Sequence, residues 1–292
     1  MRMLSDVLKE QYGEKIYKLS LTSGCTCPNR DGTLGYGGCT FCSEGGSGEF
    51  ASAPGDIEEQ IEEAKERICR KTDAKRFIAY FQAYTNTYGD IDRLSALYRK
   101  VIQREDIVIL SLGTRPDCLD DSVLEMIREL NRIKPVWIEL GLQTMHEATA
   151  ERVHRGYRLQ TFENALCRLK SMSVKVIVHV IFGLPGESTE EMLQTVRYLA
   201  TLRPDGIKIQ MLNILKGTEL GRQYEAAPFQ LLTMEEYTDL VVRSMQLLPE
   251  ETVLHRMTGD GPGDLLIAPD WVRNKKKVLN TIRKKEAASA GE

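Results

Sequence analysis

Six repeats of a short strand followed by an amphipathic helix are what this sequence predicts: an α/β fold on a parallel sheet. Three observations carry that reading. Runs rich in β-branched and aromatic residues recur at 15–21, 76–82, 107–112, 136–140, 174–182 and 206–212. Stretches with apolar residues every three or four positions separate them, as in helices that bury one stripe. No Pro/Gly/Ser-rich linker divides the chain, so one continuous layer arrangement is expected. Periodicity alone leaves open whether the sheet curls into a partial (βα)6 barrel or stays open and doubly wound.

The helices follow from their caps and stripes. Residues 56–70 place Ile57, Ile61, Ala64 and Ile68 on one side; 90–104 place Leu94, Leu97 and Val101; 120–133 place Val123, Ile127 and Leu130. Residues 160–172 repeat the pattern with Phe162, Leu166 and Leu169. Ser188 with Glu191, and Thr233 with Glu236, have the spacing of capping boxes that open helices running to Leu199 and Leu248.

Strand parity adds functional information. Side chains alternate across a strand, so Val176, Val178, Val180 and Phe182 share one face, and Lys175, Ile177, His179 and Ile181 the other. The same alternation groups Tyr80, Gln82, Glu139, Gln143, His179, Lys208 and Gln210 on one side of the sheet. A barrel interior serving only as core is filled with branched aliphatics. So many polar groups on one face predict a wet, ligand-holding lumen.

Composition bounds the class. The chain has 292 residues, 42% hydrophobic and 28% charged, with a formal net charge of -3. That length supports one large α/β barrel with a sizeable core, or two small domains. No apolar run has membrane-spanning length and the first residues lack a signal-peptide core, so a cytoplasmic protein without a membrane partner is expected. Seven cysteines, four of them inside residues 25–44, speak for reduced thiols rather than a disulfide framework.

That stretch, CTCPNRDGTLGYGGCTFCSE, follows the first strand. Cys39 and Cys42 form a C-x-x-C pair that lets two thiolates meet one inorganic centre, and Cys27 can return to it across a glycine-rich loop. A structural zinc site would use Cys25 as well. A redox dithiol would use Cys39 and Cys42 alone and leave Cys27 idle. An iron-sulfur cluster on Cys27, Cys39 and Cys42 would keep one iron open. Spacing alone leaves zinc and cluster equally open. Cys69, Cys118 and Cys167 lack metal spacing and read as packing residues.

The C-x11-C-x-x-C arrangement, with Phe41 before the last cysteine, resembles the radical S-adenosylmethionine (radical SAM) superfamily, in its branch with a stretched loop that includes the Elongator catalytic subunit. TCPNRDGT with GGCTFC is similar, more narrowly, to the bacterial YhcC/YtqA group. The resemblance implies an open partial (βα)6 TIM-like barrel in residues 1–220, with a C-terminal helical extension in 221–292 packed on it as a substrate or tRNA contact. It implies a [4Fe-4S] cluster on Cys27, Cys39 and Cys42, with S-adenosylmethionine (SAM) bound to the open iron and cleaved to a 5'-deoxyadenosyl radical. Cys25 falls outside that triad.

It also implies which strand ends hold SAM. Phe41 stands in the cysteine loop. Gln82, Tyr84 and Asn86 follow the second strand, where the family binds the methionyl amino group, although its common Gly-Gly-Glu is missing here. Glu139 and Gln143 stand where ribose hydroxyls are held, and Arg155 where the SAM carboxylate is paired. Ile181 and Gly183 lie in a segment, 179–187, similar to the family's adenine-contacting G-x-I-x-G-x-x-G, with His179 in the first glycine's place. Asn213, counted with these as a cofactor contact, opens the stretch 213–218, which with 255–260 looks like the group's own signature and is otherwise assigned to the substrate. Thr114-Arg115-Pro116-Asp117 offers a charged pair or a turn before a helix.

Members resembling YtqA (MnmL-type) are implicated in converting the carboxymethylaminomethyl side chain of the tRNA wobble uridine to aminomethyl. The implied partners are tRNA, an electron donor such as flavodoxin or ferredoxin, and a downstream methyltransferase. Arg152, Arg155, Arg158 and the basic runs 273–277 and 283–285 suit a polyanion. The competing readings are radical chemistry on a small metabolite or peptide, and a zinc-stabilised RNA-binding module. No general acid or base is legible, and residues 287–292 read as disordered.

Overall fold

The computed structural model describes residues 1–46, 51–52, 54–259, 261 and 263–289. Its centre is a sheet of β1 (Tyr17–Leu21), β2 (Phe77–Phe81), β3 (Ile107–Thr114), β4 (Val136–Gln143), β5 (Lys175–Phe182) and β6 (Gly206–Met211). The two-residue β7 (Ile214–Leu215) follows, then β8 (Val253–Arg256), which extends the sheet beside β6, and β9 (Leu266–Ala268), which pairs antiparallel with β7. All seven strands of the main sheet run parallel in the order β1-β2-β3-β4-β5-β6-β8.

This order decides between the two architectures. A doubly wound sheet reverses its strand order at a switch point, and this one never does. The sheet also curls. β2 and β6 stand four strands apart, about 19 Å on a flat sheet, yet Lys208 Nζ on β6 lies 3.2 Å from the Tyr80 hydroxyl on β2. The fold is therefore a curled, open half-barrel, with one strand more than the six the periodicity predicts.

The outward face of every strand is apolar. Leu19, Phe81, Leu112, Ile138, Val178 and Ile209 join one core with the helices outside. Those helices begin at side-chain caps. Asp56 receives the Glu58 and Glu59 amides at the start of Ile57–Cys69, Asp90 caps Ile91–Ile102, and Asp120 caps Asp121–Ile133. Leu159–Ser171 starts without a side-chain cap, and Thr189–Leu202 and Met234–Leu247 open with both expected capping boxes.

Inside, the barrel is layered. At the strands' amino-terminal edge Ile78, Ile109, Trp137 and Ile177 form a dry plug with Leu8 and Ile16, contributed by and just after the helix Leu4–Tyr12. Above the plug the interior turns polar, and the lumen opens at the carboxyl edge. The last helix, Lys275–Ser289, buries Val278 and Ile282 against Met234–Leu247. It carries residues 287–289, which were expected to be disordered; 290–292, like Asp260 of the 255–260 signature, lie outside the described residues. Among the described residues no helix is long and apolar enough to cross a membrane.

Candidate cluster and cofactor site

A cavity of about 240 Å³ occupies the carboxyl edge of the half-barrel, and Cys27, Cys39 and Cys42 all line it. The loop that carries them is tied down on both sides. Thr40 donates its amide to the Val153 carbonyl (3.1 Å), and its own carbonyl accepts from Leu220 (2.9 Å). Asn29 donates its side-chain amide to the His154 carbonyl at 2.5 Å and approaches the Cys39 sulfur at 3.7 Å. Gly156, at φ +82°, makes room for this seam, since a Cβ there would stand 3.0 Å from Asn29 Oδ1. Arg30 donates to the carbonyls of Cys42 and Ser43 and stacks over Tyr84.

Two guanidinium groups flank the thiols. Arg115 is held by both oxygens of Asp117, at 2.9 and 2.7 Å, and lies 4.8 Å over the Tyr157 ring. A hydrogen bond with Cys42 and the positive charges of Arg115 and Arg30 outweigh burial and lower the Cys39 thiol to about 7. That shared proton, with burial, pushes Cys42 upward. Cys25 goes elsewhere: it is buried in the hydrophobic core, with Arg93 Nη2 3.5 Å from its sulfur. Cys69, Cys118 and Cys167 are free thiols that do not line the cavity.

Of the expected SAM contacts, Phe41, Gln82, Tyr84, Glu139, Gln143, Arg155, Ile181 and Asn213 line the cavity. Two of them expose an unmet need. Among the described residues, Gln143 Oε1 and Asn213 Oδ1 are buried without a hydrogen-bond partner. Gln143 sits at φ +67°, beside a register shift at the end of β4, in a conformation a side chain of its kind rarely adopts. An orphaned buried acceptor is costly unless a ligand donates to it, so both oxygens mark where donors belong.

Four expectations change. Asn86 and Gly183 do not reach the cavity. The Asn86 amide is fully buried and spans the carbonyls of Phe81 and Gly113 while accepting from Ser23, which locks β2 to β3. Gly183 points its amide at the Met192 sulfur and faces Leu232. Arg155 is 1% exposed, and its five N–H donors go to the carbonyls of Leu142, Thr144 and Tyr157 and to Glu147. It braces the turn under the cysteine loop, and no donor remains for a SAM carboxylate or a surface phosphate.

Glu139 is the fourth, its carboxylate being already spent. Oε1 receives Lys18 at 2.8 Å and Ser111 at 3.0 Å; Oε2 receives His179 at 2.7 Å and Lys208. Burial alone would raise Glu139, but Lys18 and Lys208 hold it well below the usual carboxylate range. Burial and the Lys208 charge lower His179 to about 4, so the ring is neutral near pH 7. Both ammonium groups lie over the Tyr80 ring, at 4.6 and 4.3 Å from its centre. The polar parity face is thus a real lumen, but its centre is a charge hub rather than a ribose contact. Lys18 and Arg30 were missed as site residues, because nothing local in the first strand or the turn marks them.

Comparison with known proteins settles the family. The Radical SAM superfamily model matches residues 24–199, and the Radical_SAM C-terminal domain matches 204–287. This chain belongs to the radical SAM superfamily. It is 41% identical over 278 residues to YtqA of Bacillus subtilis (95% of this chain, 86% of that protein). It is 37% identical over 276 residues to YhcC of Escherichia coli (94% and 88%). A tRNA uridine(34) acetyltransferase of Methanocaldococcus jannaschii is 24% identical over 163 residues (55% of this chain, 30% of that one). The solved Methanocaldococcus infernus Elp3, deleted at its N-terminus, shares the fold with a TM-score of 0.69 at 16% identity (92% and 63% covered).

The cofactors of this radical SAM enzyme are a [4Fe-4S] cluster and SAM. The cavity fits them. Three thiols share its wall with the guanidinium groups of Arg30 and Arg115, and the amide oxygens of Gln143 and Asn213, unpartnered among the described residues, belong to residues that line it. Among the described residues no three acidic, cysteine or histidine side chains converge as they do on a single ion. Thiolates that each take a different iron of a cluster need no such convergence.

Proposed function

We propose that this radical SAM enzyme acts on tRNA, converting the carboxymethylaminomethyl side chain of the wobble uridine to aminomethyl. The cluster is assigned to Cys27, Cys39 and Cys42. The observation that carries the site is that these three cysteines line one cavity with Gln143 and Asn213, whose amide oxygens are unpartnered among the described residues. When bound, the cluster and SAM supply one-electron cleavage of a sulfonium and hydrogen-atom abstraction. The chain's own residues do the rest. Arg30 and Arg115 place positive charge beside the thiols and favour thiolates. Gln143 and Asn213 offer acceptors for hydroxyl or amine donors, and Phe41 and Ile181 supply apolar wall. The dry plug closes the lumen's far end to water.

The tRNA assignment rests on the likeness to a tRNA uridine(34) acetyltransferase and on an open basic groove along the last helix. Lys276, Lys277, Asn280, Thr281 and Lys284 line that groove, within the proposed substrate-contacting unit 221–292. A flavodoxin- or ferredoxin-type donor and a downstream methyltransferase complete the proposal. Mass spectrometry of tRNA nucleosides from a deletion strain tests it. Carboxymethylaminomethyl-uridine should accumulate and its aminomethyl product vanish; unchanged wobble uridines would refute the substrate.

A further inference from the structure

Among the described residues, the hub sets two lysine ammonium groups against one carboxylate. Lys18 and Lys208 converge on the single carboxylate of Glu139, and Ser111 and the His179 ring occupy it too. Lys208 is 5% exposed, so its charge is poorly solvated. Tyr80, Glu139, His179 and Arg256 line the cavity, and the two lysine ammonium groups reach it only through these side chains, both lying over the Tyr80 ring. From Glu139 to Gln143 is four residues of β4, about 13 Å along the strand, so this floor lies well below the rim where the thiols stand.

We propose that the lumen floor, with Lys18, Lys208 and Arg256 around Tyr80 and His179, is a subsite for a substrate carboxylate. A second carboxylate gives each lysine its own counter-charge, and the Tyr80 and His179 edges supply orientation. The proposed cluster puts SAM beside the three thiols at the rim, so the anion read here is assigned to the substrate. The choice of the carboxymethylaminomethyl group as the natural occupant rests on the proposed tRNA reading; the subsite itself does not. Burial and the Lys18 charge, which together lower the Lys208 amine despite Glu139, agree with a place for a second anion.

Calorimetric titration of the full chain with matched pairs of probes tests this. 5-Carboxymethylaminomethyluridine should bind about 10- to 100-fold more tightly than 5-aminomethyluridine. N-acetylglycine should likewise outbind N-acetylglycinamide. Lys18→Gln and Arg256→Gln should each erase the acid's advantage, with circular dichroism showing that the variants fold. Should Lys18→Gln not fold, Arg256→Lys should keep part of the preference that Arg256→Gln loses. Equal binding of the two members in both pairs would overturn the subsite. A preference confined to N-acetylglycine, with neither nucleoside bound, would uphold the subsite and remove the uridine reading.

Discussion

Asn213 and Glu139 separate what a sequence can say about a residue from what it cannot. Both were expected to hold SAM. Asn213 keeps a buried oxygen that is unpartnered among the described residues, whereas Glu139 is saturated by groups from four other strands, one of them Lys18, 121 positions away. Spacing along a strand reveals which way a side chain points, but not what arrives from the strands opposite. The same blindness turned Arg155 from a brace into a presumed ligand. Two outcomes follow at this scale. Asn213→Leu removes an acceptor that none of the described residues satisfies, so its unfolding free energy should stay within about 1 kcal/mol of wild type while SAM affinity falls about tenfold; equilibrium denaturation and binding measure the two. His179 has a folded pKa of about 4, below the ordinary 6.5. The unfolded chain therefore binds the extra proton between those values, and stability should fall as pH drops from about 6.5 to about 4, by up to about 3 kcal/mol. Urea midpoints across that range should lose this part of their slope in His179→Asn.

Elements were legible where their period was strong. The capping boxes at Ser188 and Thr233 appear as expected, because a cap is a local contract between residues a few positions apart; Asp56, Asp90 and Asp120 cap the helices that the stripes predicted. β8 was invisible for the opposite reason. It is four residues long, and its inner positions are His255 and Arg256 at a register shift, so neither length nor alternation marks it. Its docking depends on Gly206. A Cβ there would stand 2.7 Å from the His255 ring and 3.1 Å from the Val253 carbonyl. Gly206→Ala should destabilise the protein by about 1–3 kcal/mol and raise amide exchange in 253–256. Unchanged exchange there would mean that β8 is not an integral strand.

For the whole molecule, the repeated strand and helix pattern was enough to predict a parallel sheet, and the resemblance of the cysteine loop supplied its curl. The physical reason for the curl becomes visible only in the fold: Lys18, Tyr80, Glu139, His179 and Lys208 come from five strands to one point, which no flat sheet permits. That geometry leaves the thiols at the rim, the amide oxygens beside them and the charge hub beneath. The central claim is that three thiols, and no fourth, hold a cluster with one coordination position left for SAM. Electron paramagnetic resonance of the anaerobically reconstituted, reduced protein tests it most directly. The cluster signal should change on adding SAM in wild type and in Cys25→Ala, and should be lost in Cys27→Ala, Cys39→Ala and Cys42→Ala. A SAM-responsive cluster persisting when all three are replaced, or vanishing when Cys25 alone is, would contradict the account.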